Sequence, residues 1–243
     1  MQLRETTWGG LTCRVVDDLP DGASPQLGVV FCHGYGAPGT DLVPLAAALY
    51  QLDRRLAESV QFLFPEAPLT LEDLGMPDGR AWWPINLDRL QRQLQAGQMS
   101  EVRNFQPAEL PAARQALMDV VGEWTRATGL PMSRCVLGGF SQGAMLSLDA
   151  ALHLPESPAG LALLSGCLLN EQEWLPRGAS RAGLPVFQSH GVYDVVLPYA
   201  TGLWVREFLE QAGCHVEFVE FDGGHEIPWD VLKRLATFVA QRV

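Results

Sequence analysis

Short apolar runs that end in glycine alternate with longer stretches of helical periodicity along most of the chain, and this alternation narrows the fold more than any other feature. A strand buried on both faces reads as a continuous apolar run, and parallel neighbours need a crossover long enough to hold a helix. Such runs occupy residues 28–32, 60–64, 134–138, 160–164, 185–188 and 215–220, with a further strand at 11–16. Helical patterns fill 41–57, 108–127, 142–154, 199–212 and 228–240. Gly129 and Gly213 stand where left-handed helix C-caps belong. The predicted class is α/β, with a mostly parallel central sheet and helices on both faces.

Residues 65–106 break the alternation. They hold prolines, glycines, the Trp82-Trp83 pair and a short amphipathic segment with Leu87, Leu90 and Leu94 on one face. That is too long for an ordinary strand-to-helix connection, so the stretch is expected to be a structured, lid-like excursion bounded at about 65–107 of a single domain spanning 1–243. Its tryptophans either wall a substrate site or staple the excursion onto the core, and the two roles are compatible.

Twenty-eight acidic against 17 basic residues give a formal charge of −11. A field of that sign repels phosphate backbones and anionic lipid, which argues against nucleic acid as a partner. It leaves a local apolar mouth free to meet a lipid-like substrate. No apolar run approaches a membrane span, and the first residues carry no export pattern, so stable membrane insertion is not expected. Cys13, Cys32, Cys135, Cys167 and Cys214 lack CxxC spacing and are odd in number. Reduced, buried thiols in a cytoplasmic protein are the expectation, with no metal site.

Gly139-Phe140-Ser141-Gln142-Gly143 matches G-x-S-x-G. Alone the pattern is weak, since a chain of this composition yields roughly 0.1 chance matches. Here it falls between the apolar run Cys135-Val136-Leu137 and a helical stretch. A strand that turns sharply into a helix strains the central residue, and side chains two positions either side would collide. Such a turn lifts the serine hydroxyl off the sheet and makes Ser141 the candidate nucleophile.

A serine hydroxyl needs an adjacent base. His225 follows two glycines between the last strand and the last helix, where a loop can project its ring toward the strand ends. His153 lies within a helix, His215 begins a strand, and His33 and His190 end strands at the site's edge. The base in turn needs a carboxylate on its other nitrogen. Asp194 lies just after a strand and yields the order serine, acid, histidine. Asp222 competes, but three residues from His225 it is poorly placed to reach the far ring nitrogen. The oxyanion formed on attack needs fixed donors. Candidates are the backbone N–H groups of Gln142 and Tyr35, the latter in the glycine-flanked loop His33-Gly34-Tyr35-Gly36. Tyr35, Trp82 and Trp83 are candidate substrate-binding walls.

Together with Pro65-Glu66-Ala67-Pro68, Ala81-Trp82-Trp83, Leu164-Ser165-Gly166, His190-Gly191 with Asp194 and Pro198, and Gly224-His225-Glu226-Ile227, these motifs run in order along nearly the whole chain. The chain resembles the phospholipase/carboxylesterase family, which includes bacterial carboxylesterases and acyl-protein thioesterases. The resemblance implies an α/β-hydrolase fold with Ser141, Asp194 and His225 as a triad and Tyr35 and Gln142 as donors. It implies cofactor-independent hydrolysis of small-molecule esters or thioesters with short to medium acyl chains, and leaves a homodimer open. Long-chain lysophospholipase or acyl-protein thioesterase action is the alternative. A hydrolase-fold binding protein without catalysis is disfavoured, because no triad residue or elbow glycine is missing. The chain departs from the family's frequent His-Gly-Leu-Gly-Asp at Tyr35 and Ala37, from its aspartate after the aromatic pair at Pro84, and in the length of 85–106. These departures fall where an acyl group would bind.

Overall fold

The computed structural model describes residues 1–86, 89–90, 92–93 and 96–243. Eight strands form one sheet: β1 (Gln2–Trp8), β2 (Leu11–Asp17), β3 (Leu27–Cys32), β4 (Val60–Pro65), β7 (Cys135–Phe140), β8 (Gly160–Leu164), β9 (Pro185–Gly191) and β10 (His215–Phe221). Their order across the sheet is β1-β2-β4-β3-β7-β8-β9-β10. β1 and β2 pair antiparallel, as do β2 and β4, and every other neighbour is parallel. A separate hairpin, β5 (Leu69–Leu71) and β6 (Met76–Ala81), opens the excursion.

The helices are α1 (Pro44–Leu52), α2 (Arg54–Ser59), α3 (Met99–Arg103), α4 (Leu110–Thr128), α5 (Gln142–His153), α6 (Glu171–Gly178), α7 (Tyr199–Gln211) and α8 (Trp229–Ala240). Alternate residues of the strands feed two cores. On β3, Val29 and Phe31 join the core built with Leu49 of α1, Leu56 of α2 and Leu235 of α8. Val30 and Cys32 join the opposite core, with Trp124 of α4, Leu146 of α5, Trp174 of α6 and Phe208 of α7. Each buried Leu or Phe of this kind contributes about 1.5–3 kcal/mol. The two-sided burial explains the unbroken apolar runs. α5 is buried along residues 142–152, so it holds the residue before it at the centre of the molecule.

Local chemistry accounts for the differences from expectation. The helix predicted over 41–57 is two helices, because Asp53 takes an extended conformation (φ −145°) and its carboxylate caps α2 through the Arg55 N–H. β1, which has no continuous apolar run, is an exposed edge strand. It is joined to β2 through Gly9-Gly10, both at positive φ, the geometry of a tight two-residue hairpin turn. α3 and α6 were not foreseen. Of the predicted amphipathic segment in the excursion, Leu87 and Leu94 lie outside the described residues.

Candidate active site

Ser141 sits at the β7–α5 junction with φ 55° and ψ −117°, a conformation costly for a residue with a side chain. The surrounding glycines are dictated by crowding. A Cβ on Gly143 would lie 1.9 Å from the Cys32 carbonyl oxygen, and one on Gly139 would lie 2.5 Å from the same atom. The end of β3 therefore presses against the turn. It brings Gly34 alongside, where an added Cβ would stand 3.3 Å from the Ser141 Cβ.

Asp194 and His225 meet through two loops knitted by backbone. Val192 donates to the Phe221 carbonyl and Tyr193 to the Gly223 carbonyl, each at 2.9 Å. Gly191 permits this approach, since a Cβ there would lie 2.2 Å from the Gly224 oxygen. Asp194 accepts the Val196 and Leu197 N–H groups on Oδ1 at 2.9 and 2.8 Å, leaving Oδ2 for His225 Nδ1 at 2.6 Å. Burial pushes the Asp194 carboxyl up. The hydrogen bonds from His225 and Leu197 and the neighbouring imidazoles outweigh it and hold the group below the usual carboxylate range. Asp222 is exposed and makes no bond to His225 among the described residues.

The half-buried His225 ring packs 4.7 Å from the ring of Phe140, the residue beside Ser141. No hydrogen bond joins Ser141 to the imidazole among the described residues. Catalytic bonds of this kind commonly tighten only with substrate in place.

His190 lies at 0% exposure under the acid, with Nε2 2.8 Å from the Leu197 carbonyl and 3.5 Å from Asp194 Oδ2. Burial pushes its pKa below the ordinary range, against the opposing pull of Leu197 and Asp194. The sequence placed His190 at a strand end by the site's edge, and its contact with Asp194 comes from the folded chain.

The Trp pair divides. Trp83 lines a cavity of about 240 Å³ together with Ile85, Phe105, Met145, Leu169 and Leu197. Two of its lining residues are bonded to the site residues: the Met145 N–H to the Ser141 carbonyl at 3.2 Å and the Leu197 N–H to Asp194 Oδ1 at 2.8 Å. Trp82 and Tyr35 are not among its lining residues. Trp82, at 1% exposure, instead donates its indole N–H to the His33 carbonyl at 3.0 Å. Trp82 thus faces the loop before Tyr35. A wider, shallower groove of about 700 Å³ lies along Met1, Asp18, Tyr50 and Arg54, away from Ser141, and gathers no convergent chemistry.

Two side chains take part in ways the sequence did not reveal. The Gln142 side chain, fully buried, accepts the Trp82 N–H at 2.9 Å and donates to the Trp83 carbonyl at 2.8 Å. Glu66 sits between Arg14 Nη1 at 2.9 Å and Arg80 Nη2 at 3.2 Å. Arg80 meanwhile exchanges backbone bonds with the loop of Tyr35, accepting from Gly36 at 2.9 Å and donating to Ala37 at 3.1 Å. The motifs around Glu66 and Trp82 thus hold the loop of Tyr35. The Gln142 N–H belongs to the first turn of α5, whose amides have no intrahelical partner. Among the described residues no cluster of three or more His, Cys, Asp or Glu side chains could hold a metal ion.

A parallel sheet carrying a strained serine between strand and helix, with a carboxylate–imidazole pair on the neighbouring loops, defines the α/β-hydrolase class. A profile of the phospholipase/carboxylesterase family matches residues 20–243, and the chain belongs to that family. It is 29% identical over 225 residues to acyl-protein thioesterase 1 of Neurospora crassa, covering 88% of this chain and 86% of that protein. It is 32% identical over 216 residues to acyl-protein thioesterase 1 of Eremothecium gossypii, covering 86% and 85%. Among solved structures, a carboxylesterase from Mesorhizobium loti superposes with a TM-score of 0.76 at 18% identity over 99% of both chains. Esterase PE8 superposes with a TM-score of 0.74 at 24% identity over 100% of both.

Proposed function

We propose that this chain is a serine hydrolase that cleaves carboxylic esters or thioesters of short to medium acyl chains through an acyl-enzyme on Ser141. One observation carries the reading: an imidazole gripped by Asp194 at 2.6 Å packs against the residue adjoining a serine in strained backbone. The Ser141 Oγ attacks the acyl carbonyl while His225 takes its proton on Nε2. Asp194 holds the tautomer and offsets the charge on the ring. The Tyr35 and Gln142 N–H groups receive the oxyanion. Collapse expels the alcohol or thiol with the proton from His225, and a water molecule, deprotonated by the same ring, releases the acid and restores Ser141.

The cavity beside Met145 and Leu197 supports the choice of acyl chain. Its lining is largely apolar, with Ile85, Val102, Phe105, Met145, Leu169 and Leu197, which suits an acyl chain. Ile85 and Phe105 wall it, which supports residues 65–107 as a lid-like cover of one domain. All five cysteines are free and buried, in keeping with a cytoplasmic setting. No described helix is long and apolar enough to cross a membrane.

The names of the thioesterase relatives favour a second reading, thioester cleavage on acylated proteins, which we extend to long acyl chains and lysophospholipids. Turnover of p-nitrophenyl acetate, butyrate, octanoate and palmitate separates the two. Rates that peak at butyrate or octanoate and collapse at palmitate support the first, and a maximum at palmitate overturns it. A fluorophosphonate should label the wild type once and Ser141→Ala not at all. Turnover of Ser141→Ala should fall by about 10⁴- to 10⁶-fold, and a variant that stays active removes Ser141 from the mechanism.

A further inference from the structure

His33, at 2% exposure, begins the oxyanion loop, and both of its ring nitrogens are engaged. Nδ1 lies 2.9 Å from the Gly34 carbonyl oxygen, and Nε2 lies 3.1 Å from the Ala67 backbone nitrogen. A backbone N–H can only donate, so Nε2 is the bare acceptor and Nδ1 carries the proton. That N–H grips the Gly34 carbonyl. The Gly34 carbonyl and the Tyr35 N–H belong to one planar trans peptide and point in opposite directions. A donor holding the oxygen from one side therefore aims the amide hydrogen to the other. The Ala37 N–H adds a longer bond, 3.4 Å, to the same oxygen.

Trp82 extends the grip. Its indole N–H holds the His33 carbonyl, its ring packs 5.6 Å from the imidazole, and its backbone N–H holds the Gln142 side chain. One residue thus ties the loop carrying the Tyr35 amide to the helix turn carrying the Gln142 amide, although Gln142 lies 60 positions away in sequence.

We propose that His33 and Trp82 are positioning residues of the oxyanion site: His33 aims the Tyr35 N–H by holding its peptide from behind, and Trp82 sets the spacing between that donor and Gln142. This deepens the proposed hydrolase reading and rests on it, because Tyr35 and Gln142 must be the donors. Neither side chain touches substrate. Burial keeps the imidazole neutral by pushing its pKa below the ordinary range, with Gly34, Asp41 and Glu66 opposing and Arg14 reinforcing.

The experiment compares Trp82→Phe, His33→Ala and His33→Asn in the full chain, with Ser141→Ala as the control. The readouts are kcat and KM on p-nitrophenyl butyrate, the affinity of a trifluoromethyl ketone that adds to the serine, and the downfield proton signal of the His225–Asp194 bond. Trp82→Phe keeps an aromatic ring at the position, deletes the indole N–H and removes the second ring's volume, so its thermal midpoint is compared with the wild type alongside kcat. It should lose about tenfold in kcat and in inhibitor affinity with KM within about twofold, because only transition-state contacts are misaligned. His33→Ala should lose about 100-fold, and His33→Asn, whose Nδ2 can overlay the lost Nδ1, should recover about tenfold of that. The downfield proton should persist in all three, as the acid–base pair is untouched. Wild-type kcat and inhibitor affinity in folded Trp82→Phe overturn the proposal, as does His33→Asn no faster than His33→Ala. If His33→Ala fails to fold, Trp82→Phe decides alone. Turnover surviving in Ser141→Ala would instead overturn the hydrolase reading itself.

Discussion

The turn at Ser141 and the loop at Tyr35 face one another, yet they are held in place by different means. The turn is fixed by exclusion. Gly139 and Gly143 sit so close to the end of β3 that no side chain fits, and a strained backbone is trapped by its neighbours. The loop is fixed by attachment, since His33, Gly36 and Ala37 are bonded to Ala67, Trp82 and Arg80 from the excursion. Steric exclusion is all-or-none, whereas a set of hydrogen bonds can be weakened one at a time. Damage to the turn should therefore cost the fold, and damage to the loop should cost rate first.

The largest effect expected is at the turn. Gly143→Ala drives a Cβ into the Cys32 carbonyl at 1.9 Å, and backbone on both sides leaves nothing flexible to yield. A loss of at least about 3 kcal/mol is expected, read as a collapse of the thermal unfolding midpoint. A variant that unfolds like the wild type would show the contrast to be false. Glu66→Gln acts on the loop instead. It weakens the ion pairs to Arg14 and Arg80 while keeping shape, so kcat should fall by about three- to tenfold with a stability loss of about 1–2 kcal/mol. An unchanged kcat would mean that the excursion does not govern the loop.

Smaller still is the response to pH, which separates the two regions because only the loop contains a titratable ring. Burial lowers the folded-state pKa of His33, and of His190 beneath the acid, below the ordinary value of about 6.5. In the window between the two values the unfolded chain binds more protons, so stability rises with pH. It is fully present above about 6.5 and is lost as pH falls through the folded-state values. The urea midpoint should drop between pH 7.5 and pH 5, and His33→Asn should flatten that slope. The smallest effect concerns Cys32, which lies between turn and loop. Burial pushes its thiol up to about 12, and Cys167 beside the cavity likewise. A thiol reagent should modify neither until the protein is denatured.

Much of the scaffold was readable from residue patterns. The strands of the parallel sheet announce themselves because burial on both faces demands unbroken apolar runs, and 160–164 was placed to the residue. The helix predicted over 41–57 misled because one aspartate, Asp53, both ends α1 and caps α2. β1 escaped notice because an exposed edge strand needs no apolar face. At the site, Ser141 was legible because five consecutive residues carry the whole steric logic of the turn. The pairing of His225 with Asp194 followed from loop position and chain order. The parting of Trp82 from Trp83 was not legible, since both are buried tryptophans and only their surroundings distinguish a peg from a cavity wall.

By itself the sequence determined the layered fold, the strained serine and the family, because each depends on periodicity or on side-chain size at adjacent positions. Only the tertiary structure decided what His33, Glu66, Trp82 and the Gln142 side chain do. Their partners lie between 34 and 60 residues away for His33 with Ala67 and Gln142 with Trp82. A hydrogen bond depends on a few tenths of an ångström between atoms that only the folded chain brings together.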